Sequence, residues 1–335
     1  MSKSKKTVLV VAAILAACLP PLLIGNEPYI IHIFIMSFYI GTVSMAWNIL
    51  GGMAGQLSLG HATFMGLGAY TTAVLLIKVD VSPWIGMAIS FFGVGLIAAI
   101  IFYPCFILRG PYFTLATIAF GETFRNLLMN WPYVGQGQGL LMPFGGDDFL
   151  AMRFLSKIPY YYMSLAMLVL VSLAIWRLDR SKWGYAFKTI REDEDTANAI
   201  GINTTLYKLY AAFLSAGLSA VAGAFYSQYL RFIDPEIMMT VFSVEFVLPA
   251  IIGGVSFVGG PLIGAILIIP LSEFLRAHFA GTVSGINIIV YAVILILVIF
   301  LKPSGLLGWH QEWSANRKRK KPAAPDPGGE AHAQG

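Results

Sequence analysis

Apolar runs of roughly twenty residues alternate with short polar breaks along almost the whole chain. A helix crossing a bilayer needs about 20 apolar residues. That rule predicts spans over 7–25, 29–50, 57–77, 84–108, 112–130, 159–177, 207–230, 241–258, 260–278 and 286–302. The pattern is that of an all-α polytopic membrane helix bundle of about ten transmembrane helices. Two interruptions stand out. Residues 131–158 form one long loop with a Gly-Gln-Gly-Gln-Gly core, and residues 178–206 form a second loop, strongly polar. We read 1–308 as one transmembrane domain and 309–335, rich in Pro, Ala and Gly after RKRKK, as a disordered tail.

Composition agrees with the pattern: 57% of residues are hydrophobic and 12% charged. Soluble domains carry about 25% charged residues. The lysines before the first apolar run also fit a secretory signal peptide. A first span is preferred, because apolar sequence continues past Pro20-Pro21 with no small-residue cleavage site. Cys18 and Cys105 both lie in apolar runs and offer neither a disulfide framework nor a metal spacing.

Charge sets the expected orientation. Of the 22 Lys and Arg, an N-terminus placed inside leaves five in outer segments: Lys78, Arg153, Lys157, Arg231 and Arg276. Arg125 falls within a span and the other sixteen fall inside, as the positive-inside rule requires. Both termini and the 178–206 loop are then cytoplasmic, and 131–158 is external. The net charge of +5 collects at span ends and in the tail, so it points to topology and anionic lipid rather than nucleic acid.

No P-loop is present, because the chain has no Gly-Lys dipeptide. Neither a zinc-protease motif nor a serine-hydrolase motif appears. We expect no enzyme, no cofactor and no metal. Energy for any transport must come from an ion gradient or from another subunit.

Candidate residues follow from cost. Glu122 and Arg125 are three apart in one span and can pair within it. They read either as a polar element of a pathway or as a structural ion pair. Glu245, beside Ser243, is a second intramembrane acid, and Glu273 with Arg276 repeats the three-residue spacing. These acids keep an ion-coupled secondary transporter open as an alternative. Ser58, Ala62 and Gly66 form a small-residue stripe that reads as pathway lining or as close packing, with Gly60 and Gly68 permitting bends. His61 reads first as a packing or hydrogen-bonding residue. Asn48 and Gln56 flank a Gly-Gly joint whose broken backbone groups they can satisfy. Two Gly-Gly-led segments, at Gly51 and Gly253, raise an inverted repeat of opposed helix groups.

In the polar loop, Glu192 to Asp195 are four consecutive acids, favourable at a helix N-terminus. Ala197, Ala199 and Ile200 extend a helix of about nine residues, Gly201 ends it, and Asn203 or Thr204 caps the next. Ala197 and Gly201 would leave a shallow face for a partner; the other reading is a solvated loop with none.

Several of these segments, in order, resemble one family. GGMAGQLSLGHATFMGLGAY, LRGPYFTLATIAFGETFRN, SKWGYAFKTIREDEDTANAIGINTT, FSVEFVLPAIIGGVSFVGGPLIGA and KPSGLLG are similar to permease subunits of bacterial branched-chain amino-acid ABC importers of the LivM type. The resemblance covers about residues 40–310. It implies a type II importer-like fold in the bacterial inner membrane. It also implies a pathway shared with a LivH-type permease, two cytoplasmic ATP-binding subunits and a periplasmic substrate-binding protein. Arg191, Glu192, Glu194, Ala197 and Gly201 match the family's ATPase-coupling pattern. The Glu-Ala-Ala signature common among ABC permeases is here Glu194-Asp195-Thr196. Gly135, Gly137 and Gly139 match a glycine-rich segment and mark the outer loop as a candidate docking site.

Overall fold

The computed structural model describes residues 17–21, 27–255, 257–279, 293, 296 and 305–308. The expected spans 7–25 and 286–302 lie largely outside the described residues, and the 309–335 tail entirely so. Ten α-helices are labelled among the described residues. α1 (Pro28–Asn48), α3 (Pro83–Cys105) and α4 (Pro111–Asn130) each begin on proline. Proline suits that first position because its missing N–H would be unbonded there anyway. α2 spans His61–Val79, α5 Ile158–Asp179, α6 Lys182–Glu192 and α7 Glu194–Ala199. α8 (Thr204–Leu230), α9 (Thr240–Gly253) and α10 (Gly260–Phe279) complete the set.

Among the described residues, six helices are long and apolar enough to cross a membrane: α1 with its extension to Met53, α2, α3, α5, α8 and α10. α4 has the length but carries Glu122, Arg125, Asn126 and Asn130. α9 has 14 residues, about 21 Å against a hydrocarbon core of about 30 Å. The expected span 241–258 is therefore shortened. Its helix stops at Gly253, and Gly254, at φ +111°, turns the chain away. The expected span 57–77 also starts late, at His61, because residues 54–60 are not helical. These described helices do not establish the ten-span count or the inverted repeat.

α8 runs through the middle of the bundle and packs on α2 and α3. Its approach is set by glycine. A Cβ on Gly223 would collide with the Met65 carbonyl, and one on Gly68 with the Ala220 carbonyl. A Cβ on Gly217 would lie 2.7 Å from the Phe91 carbonyl oxygen. Small residues thus bring helix backbones together, but not along the expected stripe. Ser58 precedes α2, and the tight seam runs through Gly68 and Gly223.

At one end of the bundle, β1 (Leu140–Leu141) pairs antiparallel with β2 (Phe232–Ile233), tying the 131–158 loop to the end of α8. α6 and α7 lie at the other end of α8.

Candidate functional site

Three features bring the candidate residues together. The first is the junction between α1 and α2. After α1 a π-helical turn covers Ile49–Met53, and the chain is then irregular to Gly60. Unpaired backbone groups are costly in a membrane, and hydroxyls from other helices satisfy several of them here. Thr117 accepts from the Leu59 N–H at 3.0 Å, Ser243 from the Ala62 N–H at 2.9 Å, and Thr114 donates to the Leu57 carbonyl at 2.7 Å. Trp47 Nε1 donates to the Ser58 carbonyl at 2.7 Å, and Ser58 Oγ accepts from the Gly60 N–H.

His61 is fully buried beside Ser215 Oγ, 2.7 Å from Nε2. Ser215 spends its own proton on the Ala46 carbonyl at 2.6 Å. It must therefore accept from His61, which fixes the Nε2–H tautomer. This is the packing and hydrogen-bonding role expected of His61. Asn48 reaches across to the Phe257 carbonyl at 3.4 Å, whereas the Gln56 side chain makes no hydrogen bond among the described residues. A Cβ on Gly52 would meet the Val255 carbonyl at 2.7 Å, and one on Gly305 would meet Gly254 Cα at 2.6 Å. The two glycine joints therefore abut, and the 305–308 segment packs on them. Gly60 lies against the Thr117 carbonyl and Gly66 against Met238.

The second feature is the loop carrying α6 and α7. One helix of about nine residues was expected; two form instead. Asp193 is extended, at φ −159° and ψ 118°, and its carboxylate accepts from the Thr196 N–H at 2.5 Å. The acidic run is split at that cap, with Glu192 closing α6 and Glu194 opening α7. Hydrogen bonding by Thr196 holds the Asp193 carboxyl below its usual range. Gly201, at φ +87°, ends the turn, and Asn203 caps α8 through the Leu206 N–H at 3.0 Å. Both of those expectations match.

Every acid of the run is used within the chain. Glu192 accepts from Arg191 at 2.7 Å, Glu194 pairs with Lys208 at 2.5 Å, and Asp195 takes Arg109 in a two-pronged pair at 2.8 and 3.2 Å. The Asp195 pairing raises the Arg109 pKa. Arg191 turns inward and donates to the Gly52 carbonyl at 3.0 Å, linking this loop to the α1–α2 junction. Ala197 is fully buried, so the shallow face expected from Ala197 and Gly201 does not form on that side. What α7 offers outward is Asp195, Thr196, Asn198 and Ala199, followed by its C-cap Ile200, 66% exposed, with open space around Gly201.

The third feature is one face of α4. Arg125 Nε lies 2.8 Å from Glu122 Oε2, so the within-helix pair forms as expected. Beside it Thr123, Asn126 and Asn130 are exposed in a row, around an open hollow shared with Leu127 and Trp131. Glu245, on α9, is partly buried and makes no hydrogen bond or ion pair among the described residues. Glu273 and Arg276 pair at 3.1 Å.

Sequence reasoning passed over Lys208, Ser215, Thr114 and Thr117. Only Lys208 left a signal, a lone cation at the head of an apolar helix. The residues that can hold a metal ion do not cluster among the described residues.

Comparison with known proteins gives a consistent result. A family model described as "Branched-chain amino acid transport system / permease component" matches residues 29–301. The chain is 26% identical over 333 residues to the high-affinity branched-chain amino acid transport system permease protein LivM of Escherichia coli (strain K12), covering 91% of this chain and 76% of that protein. It is 25% identical over 292 residues to LivH of Salmonella typhimurium, covering 79% of this chain and 90% of that one. A shorter match, 27% over 157 residues, is to the autoinducer 2 import system permease protein LsrC of Salmonella paratyphi B, with 46% and 43% covered.

Proposed function

The chain belongs to the permease family of branched-chain amino acid ABC transport systems, as a multi-pass membrane protein of the LivM type, and from that membership we propose a specific role. The chain forms half of a translocation pathway for branched-chain or related amino acids. A LivH-type permease supplies the other half, two cytoplasmic ATP-binding subunits drive it, and a periplasmic binding protein delivers solute. Both termini and the α6–α7 loop then lie on the cytoplasmic side of the inner membrane.

The observation that carries this reading is the outward presentation of α7. A six-residue helix is capped by Asp193 and pinned by the Arg109–Asp195 and Lys208–Glu194 pairs, while Thr196, Asn198, Ala199 and its C-cap Ile200 stay exposed. A solvated loop with no partner would not need a six-residue helix pinned by a cap and two ion pairs. α7 is thus the element that meets an ATPase. Glu194, paired with Lys208, braces it from within, and Arg191 ties the preceding turn to the Gly52 carbonyl, rather than either touching the partner directly.

The exposed face of α4 supports the pathway half. Thr123, Asn126 and Asn130 are poorly suited to lipid, and polar groups in spans face a partner or a water-filled cavity. Glu122 and Arg125 sit at the edge of that face. The ion-coupled alternative, through Glu122 or Glu245, is not adopted, since the family and its relatives are permease components of branched-chain amino acid transport systems. The outer loop, with Gly135 and Gly139 at φ +82° and +74°, is the surface we assign to the binding protein.

The test is reconstitution. Uptake of labelled leucine, isoleucine and valine into liposomes should require all of the partners and ATP. Uptake by this chain alone under an ion gradient would overturn the proposal.

A further inference from the structure

α7 is too short to hold its own shape, because helices of fewer than about 12–15 residues are marginal without tertiary contacts. Two ion pairs fix it, and they are not equal. The Arg109–Asp195 pair has its side chains 68% and 71% exposed, so water and salt screen it. Lys208 is different. It is 1% exposed, its Nζ lies 2.5 Å from Glu194 Oε2, and the Phe106 ring is 5.6 Å from the ammonium. The Thr204 hydroxyl lies 3.3 Å from the other Glu194 oxygen and 3.1 Å from Asn198 Oδ1. An ammonium buried this deeply is tolerated only with a well-placed counter-charge, so Lys208 and Glu194 hold each other at one fixed separation.

Lys208 also stands on the working face of α8. Ser215 lies seven residues on, two turns along the same stripe. Ser215 receives His61 at 2.7 Å and donates to the Ala46 carbonyl at 2.6 Å. One face of one helix therefore joins α7 at its head to the α1–α2 junction two turns further on.

We propose that Lys208 is the positioning residue through which α7 moves α8, so that force applied to α7 reaches the broken α1–α2 junction through Ser215. This deepens the ATPase-coupling reading and rests on it. A merely structural lysine would, when lost, lower assembly, ATP hydrolysis and uptake together. A positioning lysine separates them.

The experiment uses the complete complex, with its partner permease, ATPases and binding protein, in liposomes. It measures labelled branched-chain amino acid taken up per ATP hydrolysed. Lys208→Met should assemble and hydrolyse ATP, with that ratio reduced about tenfold, inside the range of energetic coupling between sites. Lys208→Arg should recover most of the ratio, and the double exchange Lys208→Glu with Glu194→Lys should recover part. If Lys208→Met does not assemble, Glu194→Gln carries the same measurement with the same expected loss. A ratio unchanged from wild type in an assembled variant overturns the inference while leaving the coupling reading intact. Wild-type complex that shows no ATP-dependent uptake overturns the coupling reading and the inference with it.

Discussion

Replacing Gly223 by alanine should destabilise the bundle, although alanine is the better helix former. The substitution gains about 1 kcal/mol of helix propensity. Against this, a Cβ at 223 would collide with the Met65 carbonyl, a backbone atom that no rotamer change can move. α2 and α8 must part along a seam that is reciprocal, since Gly68 sits equally tight on the Ala220 carbonyl. Overpacking a core costs typically about 1–3 kcal/mol, and a backbone-to-backbone clash belongs at or above the top of that range. The net expectation is a loss of about 2 kcal/mol. Two other glycines grade the effect. At Gly217 the added carbon would stand 2.7 Å from the Phe91 carbonyl oxygen, a milder backbone clash, so a smaller net loss is expected. At Gly93 nothing lies within 4 Å, so alanine should be neutral or slightly stabilising. Thermal unfolding in one detergent should rank the three as Gly93→Ala, then Gly217→Ala, then Gly223→Ala. A Gly223→Ala midpoint equal to that of Gly93→Ala would refute the claim that glycine sets the α2–α8 distance.

Two more expectations concern the α6–α7 loop. Ile200→Glu alters a side chain 66% exposed and buries nothing new. The protein should therefore fold and insert normally while losing co-purification with the proposed ATPase subunits; retained co-purification would remove α7 from the contact. The Asp193 carboxyl is held below its ordinary value of 3.8 by hydrogen bonding from Thr196. A depressed acid stabilises above its unfolded pKa and loses that contribution as pH falls through the folded one. Hydrogen exchange of the α7 amides should thus show constant protection down to about pH 4 and extra opening below it. An Asp193→Asn variant should show a much weaker pH response.

Much of the bundle was legible from apolar length, because burial in lipid leaves few other uses for twenty apolar residues. α1, α3, α5, α8 and α10 lie close to their expected spans. α9 was not, because Gly253 and Gly254 count as span residues by hydropathy yet end the helix by geometry. The late start of α2 was hidden for another reason. Residues 57–60 bond to Thr114 and Thr117, nearly sixty positions away. In the site, the Glu122–Arg125 pair was visible because both partners share one helix turn. The partners of Glu194 and Asp195 were not, since Lys208 and Arg109 lie 14 and 86 residues distant. Ala197 was read as facing outward, but α7 forms only after the Asp193 break, and that rotates Ala197 into the core.

The 27 residues of α8 make a rod about 40 Å long, close to the full bilayer with its headgroups. A rigid rod is a lever. A tilt of about 10° at the Lys208 end would carry the far end about 7 Å, more than the ~4.8 Å between paired strands. One residue, Arg231, separates Leu230 from β2, whose pairing with Leu140 and Leu141 secures the 131–158 loop. The Met142 N–H and the Phe154 carbonyl also bond Arg231, at 2.8 and 3.0 Å. The 131–158 loop must therefore swing with α8 or detach from it, which, in the proposed orientation, makes that loop a gauge, legible from the periplasmic side, of what happens at the α7 end.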